Sequence, residues 1–148
     1  MKKQSKYRPF VSQASLVTYH ANRVILAGLQ KHGVTDLMTC HGDILTCLYE
    51  EDGLTVTELA VRTKRTKSTI SVLVDKLVKL GYVKKVPSVS DARALAVILT
   101  DKARSIFPAF EAVSAELNDV MLQSLTDKEA DTLEKLLAKL IEPLKNYE

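Results

Sequence analysis

The spacing of apolar residues changes abruptly at Gly81, and this change constrains the fold more than any other feature of the chain. Before Gly81, apolar side chains recur every three or four residues from Ile70 to Leu80, as on the buried face of a helix. After Gly81, the stretches YVKKVP and ALAVILT alternate with the two-residue period of strands, around the polar turn SVSDAR. The pattern predicts a helix that ends at Gly81, where a C-terminal cap is expected, followed directly by a β-hairpin.

Capping signals place two short helices ahead of the hairpin. Thr55 and Glu58 form a T-x-x-E capping box, which predicts a short helix that starts at Thr55. Thr66 is placed to cap the next helix after a short turn. The predicted inner face of that second helix comprises Ile70, Leu73, Val74, Leu77, Val78 and Leu80. Two short helices, a turn and a β-hairpin, in this order, are typical of a winged helix-turn-helix.

Helical periodicity also covers both flanks of this middle part. A first helix is predicted from Pro9 to about Lys31, and a second over TCHGDILTCLYEE. Beyond the hairpin, a helical run should begin at Thr100 and kink near Pro108. A last helix is predicted over about 126–146, opened by another T-x-x-E box and continued by leucines at heptad-like spacing.

The predicted fold class is therefore mainly α with a small β-hairpin wing. We assign the whole chain, residues 1–148, to a single domain. Within it, the winged helix-turn-helix should span about residues 36–100, between flanking helices over about 9–31 and 101–146.

Positive charge is concentrated in the middle of the chain. Residues 55–99 contain nine Lys or Arg against three acidic residues, whereas the whole chain has a net charge of only +3. A basic middle between acidic flanks is a usual footprint of a module that binds a polyanion such as DNA.

Other classes of protein are disfavoured by the sequence. It contains no P-loop, GxGxxG, GxSxG or HExxH motif, so we expect no enzyme, no catalytic residues and no cofactor. The histidines His20, His32 and His41 lack metal-ligand spacing, so no metal site is expected. No apolar run approaches the roughly 20 residues that span a bilayer, so we expect a cytoplasmic protein without membrane contact.

The outward face of the helix that follows Thr66 carries side chains suited to DNA. Ser and Thr bond base edges or phosphates, and Lys reaches guanine or a phosphate. Such a polar face, when it occurs alone, is more often simply solvated. Here it coincides with a basic cluster at the helix start and a hairpin behind the helix, so we predict contact with double-stranded DNA. The candidate contact residues are Arg65, Thr66, Lys67, Ser68, Thr69, Ser71, Lys76, Asp91 and Arg93.

The last two of these residues, Asp91 and Arg93, fall at the hairpin tip. Because they are two residues apart in a strand-like segment, they are predicted to project to the same side. Arg93 is placed to reach a minor groove, where narrow A·T-rich DNA attracts arginine. Asp91 is expected to hold the Arg93 guanidinium in a bidentate pair. Asp75 is expected to pair with a neighbouring cation.

The segment from HGDIL, at His41, through TVTELA, KSTISVLVDKLVKLGYVKK and SDARALAVILT resembles the MarR family of winged-helix transcriptional regulators. The resemblance implies a homodimer whose first and last helices interlock and present two recognition helices to a palindromic operator. It also implies a repressor that an inducer or oxidation releases. The chain departs from the family at Ala92, where relatives often have Arg, and in the turn RTKRT, which lacks the usual Gly or Asn.

The layout of the family suggests where an inducer of phenolic type would bind. The candidate lining residues are Tyr19, Arg23, His41, Tyr49 and Phe107. For each of them, a plain core or surface role is the more common one.

Redox sensing through Cys40 is an alternative, because a helix N-terminus stabilises a thiolate. Peroxide-sensing relatives carry their reactive cysteine in the first helix, where this chain has none. Cys47 is expected to be a small buried apolar residue. A further alternative keeps the winged helix but makes it a protein-interaction module that docks an acidic partner.

Overall fold

The predicted fold class, mainly α with a small β wing, is confirmed. The protein's structure is a computed structural model that describes residues 8–147. Its elements are α1 (Phe10–Lys31), α2 (Thr39–Glu50), β1 (Leu54–Thr55), α3 (Val56–Thr63), α4 (Lys67–Lys79), β2 (Val83–Pro87), β3 (Leu95–Leu99), α5 (Asp101–Ser105), α6 (Phe107–Leu122), α7 (Asp127–Ile141) and a 3-10 helix (Glu142–Tyr147).

Hydrogen bonds at the caps explain where the short helices start and stop. Thr55 Oγ1 accepts the backbone N–H of Glu58 (3.2 Å), and Glu58 Oε2 accepts that of Thr55 (2.8 Å), which opens α3 as predicted. The same reciprocal pair joins Thr126 and Glu129 at the start of α7 (3.2 and 2.9 Å). These bonds favour the charged carboxylates and hold the pKa of both glutamates below its ordinary value. Gly81, with a φ of 82°, follows α4 in the left-handed conformation that favours glycine.

One apolar core joins α2, α3, α4 and the strands. Its largest fully buried side chains are Ile44, Leu45, Leu48, Leu59, Ile70, Val74, Leu77, Val83 and Val97. Most of the predicted inner face of α4 packs in this core, but Val78 is 40% exposed, so its placement there is wrong. At about 100° per residue, Val78 lies about 80° from Ile70 and about 100° from Leu77, which places it at the edge of the buried side, where its side chain is partly exposed.

The sheet contains three strands rather than the two of the predicted hairpin. β2 and β3 pair antiparallel from Val83 opposite Leu99 to Pro87 opposite Leu95, which confirms the hairpin. β1 pairs with the other edge of β3. A strand of only two residues is too short to show an alternating pattern, so the sequence carries no signal for it.

Pro108 breaks the helical run that begins after Thr100, instead of bending it. α5 ends at Ser105, and α6 begins at Phe107. Proline has no N–H for a helical hydrogen bond and its ring crowds the preceding turn, yet it is tolerated in the first turn of a helix. A new helix that starts at Phe107 places Pro108 in such a turn. The prediction of one kinked helix is therefore wrong.

The chain divides into two compact units after Val113. The first unit contains the core and the sheet, and the second contains the rest of α6, α7 and the 3-10 helix. Within the second unit, the heptad-spaced leucines Leu133, Leu137 and Leu140 are 42–46% exposed, and no residue of α7 is buried. The leucine stripe of α7 is thus an uncovered apolar face of that unit.

The difference between Leu77 and Val78 can be tested by truncation. Leu77→Ala should lower the free energy of unfolding by about 2–5 kcal/mol, because it removes a fully buried side chain and leaves a cavity. Val78→Ala should lower it by less than about 1 kcal/mol, since Val78 is already partly in solvent. Urea unfolding of both variants at one protein concentration measures the difference. Equal losses would contradict the buried side assigned to α4.

Candidate nucleic-acid interface

Most of the predicted contact residues are exposed to solvent, on the outward side of α4, at its N-terminal cap and on the wing. Of the nine candidates, those exposed are Thr66, Lys67, Ser68, Thr69, Lys76, Asp91 and Arg93. Arg65 and Ser71 are half-buried. Because Ile70, Val74 and Leu77 fix the opposite side of the helix in the core, the polar side is held outward. This arrangement gives α4 a rigid, solvent-facing polar surface at its first two turns.

The two threonines at the start of α4 have a local structural role. Thr66 Oγ1 accepts the backbone N–H of Thr69 (3.2 Å) and caps the helix, as predicted. The two hydroxyl groups are also hydrogen-bonded to each other (2.9 Å). Lys67 and Ser68 follow the cap directly and are exposed. The cap therefore orders the helix end at which these side chains stand.

Two arginines of the basic cluster form ion pairs that the sequence did not indicate, one with an aspartate of α2 and one with the glutamate that follows α2. Arg65 Nη2 lies 2.8 Å from Asp43 Oδ2, and Arg62 pairs with Glu51. The acidic partners lie far away in the sequence, so no local pattern reveals them. These pairs connect α3 and the turn before α4 to α2, which reduces the positive charge that the cluster presents outward.

The turn before α4 contains a lysine in a backbone conformation that favours glycine. Lys64 adopts a left-handed conformation, with a φ of 55°, at the C-terminal cap of α3. An L-residue with a side chain adopts this region at some energetic cost, and glycine adopts it freely. The turn RTKRT thus adopts the left-handed conformation without a glycine.

The wing tip differs from its prediction in how Asp91 and Arg93 are related. Both lie in the turn between β2 and β3, where the N–H of Ala94 donates to the carbonyl of Asp91 (3.1 Å). Asp91 Oδ1 accepts the backbone N–H of Arg93 (3.0 Å), and among residues 8–147 no ion pair joins the two side chains. The predicted bidentate pair is wrong, and strand alternation does not apply, because an aspartate in a turn bonds its own backbone two residues on. Arg93 is exposed.

Polar contacts at its C-terminal end fasten α4 to the rest of the first unit. Lys102 Nζ donates to the carbonyl oxygen of Leu80 (2.6 Å) and lies 4.1 Å from the centre of the Tyr82 ring. The Tyr82 hydroxyl donates to Asp36 Oδ1 (2.6 Å). Burial and this acidic partner raise the pKa of Tyr82, so its hydroxyl remains a donor. Asp75 pairs with Lys85 of β2, which confirms the predicted cation partner.

The five candidate ligand residues are distributed over three places. Tyr49 donates its hydroxyl to the carbonyl of Ala103 (2.6 Å), and its ring centre lies 4.7 Å from that of Phe107. Burial raises the pKa of Tyr49 to about 12. On the exposed part of α1, Arg23 Nη1 donates to the Tyr19 hydroxyl (3.2 Å). The structure therefore brings these candidates together as two separate pairs.

His41, the fifth candidate, is only 5% exposed and has a structural partner. Its Nδ1 accepts the backbone N–H of Met38 (3.1 Å), which caps the start of α2. Burial is the main cause that holds the pKa of His41 below its ordinary value, so the ring is a neutral acceptor at neutral pH. Its hydrogen bond explains the residue without a ligand.

Over residues 8–147, both cysteines are free, and the structure shows neither a group of metal ligands nor a helix that could span a membrane. Cys40 and Cys47 are free thiols, both half-buried in α2, and burial raises the pKa of Cys47. Over residues 8–147, no three His, Cys, Asp or Glu side chains are grouped as metal ligands. In the same range no helix has both the length and the apolar character needed to cross a membrane.

Comparison with known sequences places the middle of the chain in one family. A sequence profile of the MarR family matches residues 32–94. The chain is also 30% identical over 103 residues to the HTH-type transcriptional repressor YetL from Bacillus subtilis. That match covers 68% of this chain and 62% of YetL, so the chain spans less than two thirds of that relative's length.

Comparison with solved structures shows the same fold. A MarR protein from Peptoclostridium difficile superimposes with a TM-score of 0.84 at 22% identity, covering 99% of this chain and 94% of that one. A cysteine-to-serine mutant of MarR from E. coli, solved in complex with operator DNA, gives a TM-score of 0.80 at 24% identity. Here the match covers 89% of this chain and 93% of the other.

These findings agree with the motifs in the sequence. The family profile covers α2 to β2, which contain HGDIL, TVTELA and the α4 segment, and the fold of the solved MarR proteins extends over the flanking helices. The predicted resemblance is confirmed: this chain belongs to the MarR family of winged helix-turn-helix proteins.

Proposed function

We propose that this protein is a sequence-specific DNA-binding transcriptional regulator. The observation that carries the proposal is the exposed polar surface at the start of α4, held outward by the buried side of the same helix. A helix enters the major groove of B-DNA and reads bases with its first turns when a rigid domain presents it in this way. Family membership, a relative named as a transcriptional repressor and a structural neighbour bound to operator DNA support the proposal.

In this proposal, the contact residues divide into two kinds. Lys67, Ser68 and Ser71 lie in the first two turns of α4 and contact base edges or adjacent phosphates. Lys76, farther along the helix, contacts phosphate. Arg65 serves chiefly to position α4, because its guanidinium is paired with Asp43 and is only half-exposed.

The wing supplies the minor-groove contact. Arg93 is exposed at the tip, and the Asp91 carboxylate is satisfied by the backbone of the turn. The guanidinium is therefore not neutralised by Asp91, and it can enter a narrow A·T-rich groove with its full charge. With Ala92 in the middle of the Asp-x-Arg triplet, Arg93 is the single arginine in the DAR triplet of this wing.

We propose a homodimer, because a palindromic operator requires two copies of α4. The leucine stripe of α7 is the surface for it: Leu133, Leu137 and Leu140 are exposed in one chain and recur at the spacing of a helix–helix seam. Water-exposed leucines at this spacing gain stability when a second copy covers them. Half-sites of the operator would then lie about 34–36 Å apart, one turn of DNA.

Repression with release by a small molecule is the regulatory mode that the family suggests. We propose the aromatic pair Tyr49 and Phe107 as the contact for an inducer of phenolic type, because their rings already pack together at a tilt of 51° and Phe107 is 38% exposed. Tyr19 and Arg23 form the other candidate pair. His41 is assigned to capping α2. Oxidation of Cys40, a free thiol at the start of α2, is the alternative route of release.

Selection from a random pool of DNA duplexes tests the proposed function. The protein should retain a palindromic sequence and bind it at least about 1,000-fold more tightly than random duplex, as specific DNA-binding proteins do. Competition binding at fixed salt measures this ratio. Equal affinity for selected and random duplexes would contradict the proposal and favour the protein-interaction module instead.

Removing the wing arginine tests its minor-groove contact. Arg93→Ala should weaken binding to the selected duplex by about 1–3 kcal/mol and abolish any preference for A·T pairs flanking the half-sites. Lys84→Ala, which removes an exposed cation from β2, serves as the control and should leave that preference unchanged. An Arg93→Ala variant that keeps wild-type affinity and flank preference would refute the assignment.

A charge in the leucine stripe tests the proposed dimer. Leu137→Glu should yield monomers, because a carboxylate in an apolar seam loses its hydration without gaining a partner. Lys135→Glu introduces the same group into α7 at an exposed polar position and should leave the dimer intact. Light scattering gives the mass of each variant. A Leu137→Glu protein of dimer mass would place the seam elsewhere.

A further inference from the structure

An exposed valine stands in the middle of the polar side of α4. Val72 is 68% exposed, although it lies between the serines and lysines predicted to contact DNA. Val72 belongs neither to the predicted inner face of the helix nor to the predicted DNA contacts. A single exposed apolar residue is common on protein surfaces. Its position relative to the buried side is what distinguishes this one.

Helix geometry places Val72 opposite the core. At about 100° per residue, Val72 is about 160° from both Ile70 and Val74, which are completely buried. It is about 40° from Ser68, one turn before it, and about 20° from Lys79. Its side chain therefore occupies the crest of the outward face, in the second turn of α4. Helical spacing in the sequence could have identified Val72, because it is the one apolar residue on that crest.

Val72 contributes little to packing within the first unit, because about two thirds of the residue is exposed to solvent. Val72 does not stabilise the helix through its propensity either, because a β-branched residue is slightly unfavourable in a helix. Its neighbours one turn away on each side, Ser68 and Lys76, are both exposed and polar. A helix docked in a major groove would press this crest against the edges of the bases.

We propose that Val72 determines operator specificity by contacting the 5-methyl group of a thymine in each half-site. The inference rests on the proposed function. In the major groove, thymine is the base that presents a methyl group, and apolar side chains are the groups that contact it. The branched, uncharged side chain of Val72 cannot donate or accept a hydrogen bond, so it distinguishes bases by this methyl group alone.

Val72 and Ser68 would then read neighbouring base pairs in different ways. Ser68 forms hydrogen bonds to base edges, and Lys76 contacts phosphate, whereas Val72 gains only from apolar contact. Cytosine at the thymine position offers an amino group and lacks the methyl, so it would lose the contact without offering Val72 a new one. The operator should accordingly contain a thymine at a fixed position in both half-sites.

Replacing thymine by deoxyuridine tests the contact, because it removes the methyl group and preserves base pairing. The probe is the duplex selected by the wild-type protein, with each thymine replaced in turn. Wild-type protein should lose about four-fold in affinity at one thymine position per half-site, the effect expected for one buried methyl group. Val72→Ala should bind the unmodified duplex more weakly and show no loss at that same position.

Two features of the chain help to distinguish loss of the thymine contact from a loss of folding or of any exposed valine. Alanine is the best helix former, so Val72→Ala should fold as wild type does. Val61 of α3 is 66% exposed, and Val61→Ala removes the same atoms from an equally exposed valine. That control should retain the four-fold deoxyuridine effect.

The outcomes separate the two proposals. If the wild-type protein binds a selected duplex specifically but no thymine methyl effect depends on Val72, the inference is overturned and the proposed function stands. If the protein selects no duplex at all, the proposed function and the inference fall together. Loss of the deoxyuridine effect in Val72→Ala, with its retention in Val61→Ala, supports the assignment.

Discussion

The burial of one side of α4 is the interaction on which the rest of the interface depends. Ile70, Val74 and Leu77 are completely excluded from water, against the core that α2, α3 and the strands share. Each such side chain stabilises the fold by roughly 1.5–3 kcal/mol relative to exposure. Because one side of the helix is fixed in this way, the opposite side is fixed as well. Every α4 residue proposed to contact DNA takes its direction from this packing.

Ion pairs and hydrogen bonds at both ends of α4 refine its position. Asp43 pairs with Arg65 before the helix, and Lys102 bonds the Leu80 carbonyl after it. Exposed ion pairs each contribute only about 0–1 kcal/mol, so they do not hold the helix in place by themselves. A cation at the C-terminal end also complements the helix dipole. These contacts restrict how far the helix can tilt, and apolar packing supplies most of the stability.

The sequence correctly predicted those features of the fold that depend on residues close together in the chain. The capping threonines, the helix end at Gly81 and the hairpin each depend on residues a few positions apart, and the structure confirms them. Contacts between distant residues were beyond the sequence: Arg65 with Asp43 is separated by 22 positions, and Tyr82 with Asp36 by 46. Val78 was misjudged because helical spacing gives the angle between side chains, whereas only the packed core shows how wide the buried side is. Val72 was missed although helical spacing alone places it opposite the predicted inner face.

The polar side of α4 and the wing are proposed to bind the DNA backbone as well as the bases, and the salt dependence of binding measures the phosphate contacts directly. Affinity for the selected duplex should fall linearly with salt on a double-logarithmic plot, with a slope of about −0.9 for each phosphate contacted. Lys76→Ala, which removes the proposed phosphate contact of α4, should make that slope shallower by about 1 for each α4 helix in the complex. A slope near zero, or one unchanged in Lys76→Ala, would contradict the proposed contact of α4 with the DNA backbone.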